Sequence, residues 1–169
     1  MKRDGAHDPR AIANKILEIR AETGEPTTVM QLIKLVYIAD GWSLALRDRP
    51  LANQNPEAWQ YGPVYRDAYN AFRQFGAQPV TSPAYVRGTD LPYVESFSED
   101  EEKLLRAVVS AYGKLSAFSL SRLTHQPGTP WSDAYENGAY SEISADDMKA
   151  HFESLKEKRL AAKASAQIA

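Results

Sequence analysis

Residues 30–46 of this chain read MQLIKLVYIADGWSLAL, and this segment decides the fold. Its apolar side chains recur at helical spacing, but they lie on one face in the first half and on a face rotated by about half a turn in the second half. A helix that is apolar on different sides at its two ends needs neighbours on several sides. We therefore expect a central, buried helix that begins at Thr27 or Thr28, ends near Leu46 or Arg47 and relaxes at Gly41. The two faces are formed by Val29, Leu32, Ile33 and Val36 and by Ala39, Trp42, Ala45 and Leu46.

Start and stop signals predict further helices on both sides of the central one. Asp8 before Pro9 is a typical helix start, and Gly62 with Pro63 is expected to open a helix that ends at Gly76. The predicted fold class is all-α: a predominantly helical single domain with about six to seven helices around a central buried helix. At most a minor β element is expected, near residues 58–61 or 77–97. The other helices are expected from the capping box of Ser98 and Glu101 to Gly113, from Ser116 to Leu123, from Thr129 through Trp131, and from Ser144 with Asp147 through Leu155.

The length of 169 residues fits one compact domain. We expect this domain at residues 8–156, between a flexible N-terminus at residues 1–7 and a flexible or frayed helical C-terminal tail at residues 157–169. The formal net charge of -2 gives no overall attraction to nucleic acid or anionic lipid, and the absence of cysteine excludes disulfides and thiolate metal sites. No run approaches the roughly 20 apolar residues of a membrane helix, and no signal peptide is recognisable. A cytoplasmic protein without a membrane segment is expected.

The sequence offers no recognisable catalytic constellation. Its three histidines, His7, His125 and His151, lie far apart and lack metal-ligand spacings. Acidic residues near the expected helix starts have a sufficient role there as capping and dipole partners. No phosphate-binding glycine loop or serine-hydrolase elbow occurs. We therefore expect no enzyme, no cofactor and no metal site, and we favour a structural His125 ring that bonds the turn backbone over a hydrolase built around it.

The first helix pair offers another alternative. Residues 9–23 and 28–47 are joined by a tight GEPT turn, as in a helix-turn-helix. A recognition helix needs an exposed face of basic or amide side chains, and the second helix offers only Gln31 and Lys34 in its first half. We therefore disfavour nucleic acid as a partner, and a DNA-binding transcription regulator stays the alternative function.

Eight aromatic residues fall in the central helix and the segment that follows it. Most match inward-facing stripes and are expected in the core. Trp59 and Tyr61 differ because they lie in a short extended segment between loops, where one face is expected to meet solvent or a partner. The eight are Tyr37, Trp42, Trp59, Tyr61, Tyr65, Tyr69, Phe72 and Phe75.

Three elements in this order resemble a known family. The segment LIKLVYIADGWSLAL is followed by AWQYGPVYRDAYNAF at residues 58–72 and by LTHQPGTPW at residues 123–131. From about residue 10 to about residue 155 the chain resembles the Panacea domain of bacterial and phage toxin–antitoxin systems, and it is most similar to the SocA-type antitoxins. The resemblance implies a mostly helical domain that binds and neutralises a cognate toxin protein, as an adaptor that delivers the toxin to the ClpXP protease.

The same resemblance places family motif positions on this chain and implies no catalytic role for them. It leaves open which toxin is bound, and whether degradation or simple occlusion neutralises it. The tail after Lys158 is expected either to be dispensable or to tether the toxin near the protease. The expected partner-binding or motif residues are Lys34, Leu35, Tyr37, Trp42, Trp59, Tyr61, Gly62, Pro63, Thr124, His125, Pro130 and Trp131.

Overall fold

The computed structural model describes residues 3–168 of the chain, and side chains within residues 3–166. Within this part, seven α-helices and one two-stranded antiparallel sheet confirm the predicted all-α class. The elements are α1 (Pro9–Ala21), α2 (Val29–Arg47), β1 (Glu57–Trp59), β2 (Gly62–Val64), α3 (Arg66–Phe72) with a 3-10 turn (Arg73–Phe75), α4 (Glu99–Tyr112), α5 (Ala117–Thr124), α6 (Pro130–Glu136) and α7 (Ala145–Ile168).

Helix α2 is the centre of the fold, as its sequence predicts. Every residue from 32 to 44 is buried, because α1, α3, α4, α5, α7 and β2 all pack against this one helix. Its start is fixed by a capping box, in which the Thr28 side chain and the Gln31 side chain each bond the other residue's backbone N–H. Helix α2 continues through Gly41 without interruption, and close packing gives this glycine a role that the sequence did not indicate. A Cβ at this position would fall 2.1 Å from the Phe152 ring, so glycine here allows α7 to approach α2 closely.

No segment was expected to be apolar enough to span a membrane, and this expectation was wrong for α2. This helix has the length and composition of a membrane span, but 78% of its apolar window is buried inside the protein. Its apolar character on all sides follows from its position in the core.

Three polar residues of α2 are fully buried, although helical spacing alone places them opposite its apolar faces. They are Lys34, Asp40 and Ser43. The Asp40 carboxylate accepts hydrogen bonds from the backbone N–H groups of Leu51 (2.9 Å) and Ala52 (3.1 Å). It also accepts a bond from the Tyr65 hydroxyl at 2.6 Å and pairs with Arg3 at 2.7 Å. Because a buried carboxylate is stable only when its oxygens are paired, this cluster fixes three distant segments around α2.

The described part of the N-terminus, residues 3–7, contacts the rest of the domain, and its expected flexibility stays a prediction. The backbone N–H of His7 donates to the Leu51 carbonyl at 2.8 Å, and the His7 ring lies 2.8 Å from both the Glu95 and the Glu101 carboxylates. Together with the Arg3–Asp40 ion pair, these contacts hold the segment against the domain. Residues 1 and 2 of the predicted flexible terminus lie outside the described residues.

Helix starts were predicted well, with one exception. Asp8, Ser98, Ser116 and Thr129 each accept a hydrogen bond from the first turn of the helix that follows, and the Ser144 hydroxyl accepts one from Asp147.

The exception is the helix expected to start at Gly62 and Pro63. These residues form β2, and the helix begins at Arg66. Pro63 lies opposite Ala58, next to the Trp59–Gly62 pair that closes the two-residue turn. In this second pair the N–H groups point away from the partner strand, so the missing N–H of proline removes no hydrogen bond between β1 and β2. Gly76 ends the following turn with a φ of 57°, as expected.

The long connection at residues 77–97 forms isolated bridges only, as predicted. The Asn14 side chain bonds the carbonyls of Ala84 and Tyr93, both at 3.0 Å, and anchors this connection on α1. Helix α7 continues without a break through the expected tail region, and its residues from Lys156 to 166 are exposed. Whether this tail is flexible stays a prediction.

Candidate protein-binding site

The motif WQYGPV forms a tight β-hairpin whose backbone is held from three sides. Trp59 pairs with Gly62 across the turn formed by Gln60 and Tyr61, and Gly62 has a φ of +116°, which L side chains rarely adopt. Two-stranded hairpins alone are marginally stable in water. The hairpin therefore depends on its neighbours for a fixed shape.

Three side chains from three different helices bond alternate carbonyls of this hairpin. The Trp131 indole N–H of α6 donates to the Trp59 carbonyl at 2.6 Å. The Ser121 hydroxyl of α5 donates to the Tyr61 carbonyl at 2.6 Å. The Lys34 amine of α2 donates to the Pro63 carbonyl at 2.9 Å. We call this set of three donors the carbonyl clamp.

Lys34 is the unusual member of the carbonyl clamp. It is completely buried, and burial lowers the pKa of its ammonium group to about 7. A Cβ at Gly62 would lie 3.0 Å from the Lys34 Nζ and 3.2 Å from the Thr124 Oγ1. Glycine at position 62 is therefore favoured by the close packing of Lys34 as well as by the positive φ of the turn.

The edge of β1 that does not pair with β2 is covered by residues 140–143. The Ala58 N–H donates to the Ser141 carbonyl at 2.8 Å, and the Tyr140 N–H donates to the Ala58 carbonyl at 2.8 Å. The Trp59 ring meets the rings of Tyr69 and Tyr140 edge to face, at centroid distances of 5.0 and 5.5 Å. The strand edge is thus closed, and an aromatic wall forms beside it.

This wall borders a groove of about 500 Å³, which we call the hairpin groove. Trp59, Tyr61, Tyr69 and Tyr140 line it together with apolar residues from the start of α2. Its basic side chains are Lys34 and the exposed Arg73, and no acidic residue lies among its described lining residues. A groove of this kind favours an apolar partner group without nearby positive charge.

Large apolar side chains next to the hairpin groove are exposed to solvent. Tyr61 at the hairpin tip is 60% exposed, and Tyr140 is 59% exposed. Phe118 is 72% exposed and precedes Ser121 by three residues, so both side chains leave the same side of α5. Because Ser121 reaches the Tyr61 carbonyl, Phe118 lies on the side of α5 that faces the hairpin tip.

The structure brings most of the expected motif residues together around the hairpin. Leu35 is a core residue, and two other expected residues lie elsewhere. Tyr37 faces α7, with its ring 5.9 Å from that of Phe152, and its hydroxyl is buried without a described hydrogen-bond partner. Trp42 donates from its indole to the Tyr112 hydroxyl at 3.1 Å. The gathered residues are Lys34, Trp59, Tyr61, Gly62, Pro63, Thr124, His125, Pro130 and Trp131.

The histidines occupy structural positions. The His125 ring contacts the Ser121 carbonyl and meets the Trp131 ring edge-on at 5.3 Å, so it bonds the preceding helical turn rather than the loop after it. His151 is half-buried on α7, where burial and the nearby Lys158 lower the pKa of its ring. Within residues 3–168, no cluster of three His, Cys, Asp or Glu residues has the geometry to hold a metal ion.

Sequence reasoning missed Ser121, Arg73, Phe118 and Tyr140 as members of this surface. The motif residues Thr124 and His125 indicated the importance of this region. Ser121 lies one helical turn before Thr124 and is not part of the motif. The exposed Phe118 carries no local signal, because helical spacing alone does not say which aromatic side chain lacks a covering neighbour.

Comparisons with known proteins identify the family of this chain. The sequence profile described as Antitoxin SocA-like, Panacea domain matches residues 32–132, which contain the hairpin and all three donors of the carbonyl clamp. The chain is 32% identical over 135 residues to Antitoxin SocA of Caulobacter vibrioides (strain NA1000 / CB15N), over 78% of this chain and 71% of that protein. No solved structure matches the chain. This chain thus belongs to the SocA-like antitoxin family with a Panacea domain.

Proposed function

We propose that this antitoxin-family protein binds a cognate toxin protein through the hairpin groove and its exposed rim, and delivers the toxin to the ClpXP protease. The observation that carries the proposal is the carbonyl clamp, which fixes a hairpin tip whose Tyr61 side chain is 60% exposed. A rigid tip that presents a tyrosine loses little conformational entropy when it binds a partner.

The surface around the tip has the composition of an interface centre. Exposed Tyr61 and Tyr140 line the hairpin groove, and exposed Phe118 lies one helical turn before Ser121 of the carbonyl clamp; tyrosine and tryptophan are enriched among residues that dominate binding energy. A contiguous apolar surface of this kind is uncommon on monomeric proteins unless it binds something. The proposed action is non-enzymatic: the chain holds the toxin, and the protease degrades it in the cytoplasm.

The alternative of a DNA-binding regulator loses its main support. Lys34 was one of two side chains available to a recognition face on the second helix, and it is buried against Pro63. Basic side chains that contact phosphates or base edges must reach solvent. We therefore favour a protein partner over DNA.

The test uses the toxin encoded by the neighbouring open reading frame, identified by its toxicity when expressed alone. Tyr61→Ala should weaken toxin binding about tenfold or more in a titration with purified proteins, and should reduce protection of growing cells. Tyr85→Ala is the matched control, because Tyr85 is also exposed, at 47%, but lies on the connection between α3 and α4. Circular dichroism checks that both variants fold. Equal binding by Tyr61→Ala, Phe118→Ala and the parent would refute the proposed surface.

A degradation assay tests the adaptor step separately. Purified toxin should be lost faster with ClpXP, ATP and the antitoxin than with ClpXP and ATP alone. Toxin that is bound and inactive but equally stable in both reactions would leave neutralisation by occlusion and remove the adaptor role. Removal of residues 160–169 in the same assay asks whether the tail takes part.

A further inference from the structure

A second groove lies on the other half of α2, between α4 and α7. We call it the α4–α7 groove; its volume is about 300 Å³, and Trp42 and Tyr112 form part of its floor. Arg159 of α7 contacts both residues. Its guanidinium lies 4.8 Å from the Trp42 ring centre and donates to the Tyr112 hydroxyl at 2.5 Å. The groove is thus built on anchored side chains, with the exposed part of α7 as one wall.

The walls of the α4–α7 groove expose apolar side chains that no element of the described chain covers. Leu46 of α2 is 52% exposed and Leu160 of α7 is 58% exposed, and both line the groove. Ala107 and Ala111 of α4 also line the groove and are exposed, one helical turn apart. Small residues in this position let another backbone approach the floor closely, as in helix-in-groove recognition.

The charges around the α4–α7 groove have one sign. Lys156, Arg159 and Lys163 line it, and no acidic side chain occurs among its described lining residues. The three cations lie on one side of α7, at spacings of three and four residues. A partner segment in this groove therefore gains from acidic side chains beside its apolar ones and is opposed by basic ones.

The same charges decide between the possible occupants. A second copy of this chain would bring its own exposed α7, whose residues 156–163 contain four basic side chains and one acidic one. Like charges across an interface disfavour that pairing. Nucleic acid would leave the apolar walls at Leu46 and Leu160 without a partner, since phosphate contacts use cations alone. An acidic and apolar protein segment satisfies both the walls and the cations.

We propose that the α4–α7 groove is a second docking site, which binds an amphipathic segment of a partner protein that carries acidic residues beside a stripe of leucine-like side chains. It is distinct from the hairpin groove. The nearest lining residues of the two grooves on α2 are Lys34 and Trp42, about 12 Å apart along the helix at the helical rise per residue, and the two sets of lining residues share no member. Both grooves can therefore be occupied at once on the same rigid helix.

The test uses the full chain and a synthetic helical peptide of about 16 residues with leucines at positions i, i+3, i+4 and i+7 and glutamates beside them. A fluorescent label reports binding by anisotropy. We expect saturable binding, with no binding of a control peptide that has lysine in place of each glutamate. The double variant Lys156→Glu/Lys163→Glu should weaken binding about tenfold, and Leu160→Asp should weaken it further.

Matched controls separate a local effect from a change in net charge. Lys114→Glu/Lys158→Glu changes the charge equally, but neither residue lines the groove, so the affinity should stay within about twofold of the parent. All substituted side chains are exposed, and circular dichroism checks the fold.

Three results would each overturn the proposal: no saturable binding of the glutamate peptide, equal loss in both double variants, or stronger binding of a DNA duplex or an anionic phosphatidylserine vesicle through the same residues. The outcome is independent of the hairpin groove, because Tyr61→Ala should leave peptide binding unchanged. A failure here would therefore leave the proposed toxin site in place, and the reverse also holds.

Discussion

The two halves of α2 hold their neighbours by different kinds of contact. Near its start, Lys34 takes part in the carbonyl clamp, in which directional hydrogen bonds fix a six-residue motif. Further along, Gly41 and Trp42 hold α7 mainly through the Phe152 ring, whose centre lies 5.3 Å from that of Trp42. The difference follows from the backbone: a helix satisfies its own N–H and C=O groups, whereas a short hairpin needs outside partners. Apolar packing is therefore sufficient for α7 and insufficient for the hairpin.

The largest expected effect comes from breaking the apolar contact. Phe152→Ala should lower the free energy of unfolding by about 3–5 kcal/mol, because the ring is 3% exposed and packs between Tyr37 and Trp42. Urea denaturation followed by tryptophan fluorescence measures this value. As a control, Leu160→Ala on the exposed part of the same helix should cost less than about 1 kcal/mol. An equal cost for both would mean that Phe152 does not anchor α7.

A second substitution, on α2, tests the contact between Gly41 and the Phe152 ring. Gly41→Ala should cost about 1–3 kcal/mol, since the added methyl group would overlap the Phe152 ring. In a chain that already carries Phe152→Ala, the same change should be neutral or stabilising, because alanine favours a helix more than glycine does. A double-mutant cycle measures the difference. Additive costs would show that the ring is not what excludes a side chain at position 41.

The third prediction concerns the pH dependence of the carbonyl clamp. Burial lowers the pKa of Lys34 from 10.5 to about 7. Between these pH values Lys34 is protonated in the unfolded chain and mostly neutral in the folded protein. Lys34 should therefore make stability rise with pH from about 7 towards 9, by no more than about 1.4 kcal/mol per pH unit. Its contribution should vanish below pH 7, where Lys34 is protonated in both states, and the lowered pKa of His151 adds a separate rise there.

Lys34→Met removes the titrating group and should flatten this rise. Burial raises the pKa of Tyr37 and of Tyr65, which adds an opposite slope only at higher pH, so measurements should stop near pH 9. The difference in unfolding free energy between parent and variant is the quantity to follow from pH 6 to pH 9. A constant difference across this range would mean that Lys34 keeps an ordinary pKa in the folded protein.

The smallest expected effect is at one bond of the carbonyl clamp. Ser121→Ala removes the donor to the Tyr61 carbonyl and should cost about 0.5–1.5 kcal/mol, because that carbonyl can turn to water at the hairpin tip. Thermal unfolding measures it, with Ser119→Ala on the exposed side of α5 as a control. A loss of toxin binding larger than the loss of stability would link the position of the tip to recognition.

The sequence predicted the helices but not the contacts between them. Caps such as Ser98 with Glu101 involve residues three apart, so a local pattern is enough to find them. The partner of Lys34 is a carbonyl 29 residues away, and the partners of Asp40 include Arg3 and Tyr65. No local pattern predicts such pairs, and so these residues were wrongly placed on the polar side of the helix.

The candidate site shows the same limit. Trp59 and Tyr61 were found from their short extended segment as well as by resemblance, and Trp131 by resemblance. Their common location depends on the bond from Trp131 to the Trp59 carbonyl, across 72 residues. Glycine followed by proline suits a helix start, but it also suits a tight turn and the outer strand of a hairpin. Gly62 and Pro63 were therefore wrongly predicted to start a helix.

The carbonyl clamp recognises atoms that every amino acid possesses. Trp131 and Ser121 bond the backbone oxygens of residues 59 and 61, so the shape of the tip does not depend on which side chains occur at positions 60 and 61. Gln60 and Tyr61 can therefore be replaced in evolution without a change in the scaffold that displays them. One fold can then acquire a new binding specificity through a few substitutions at the tip, much as an antibody domain exchanges its loops.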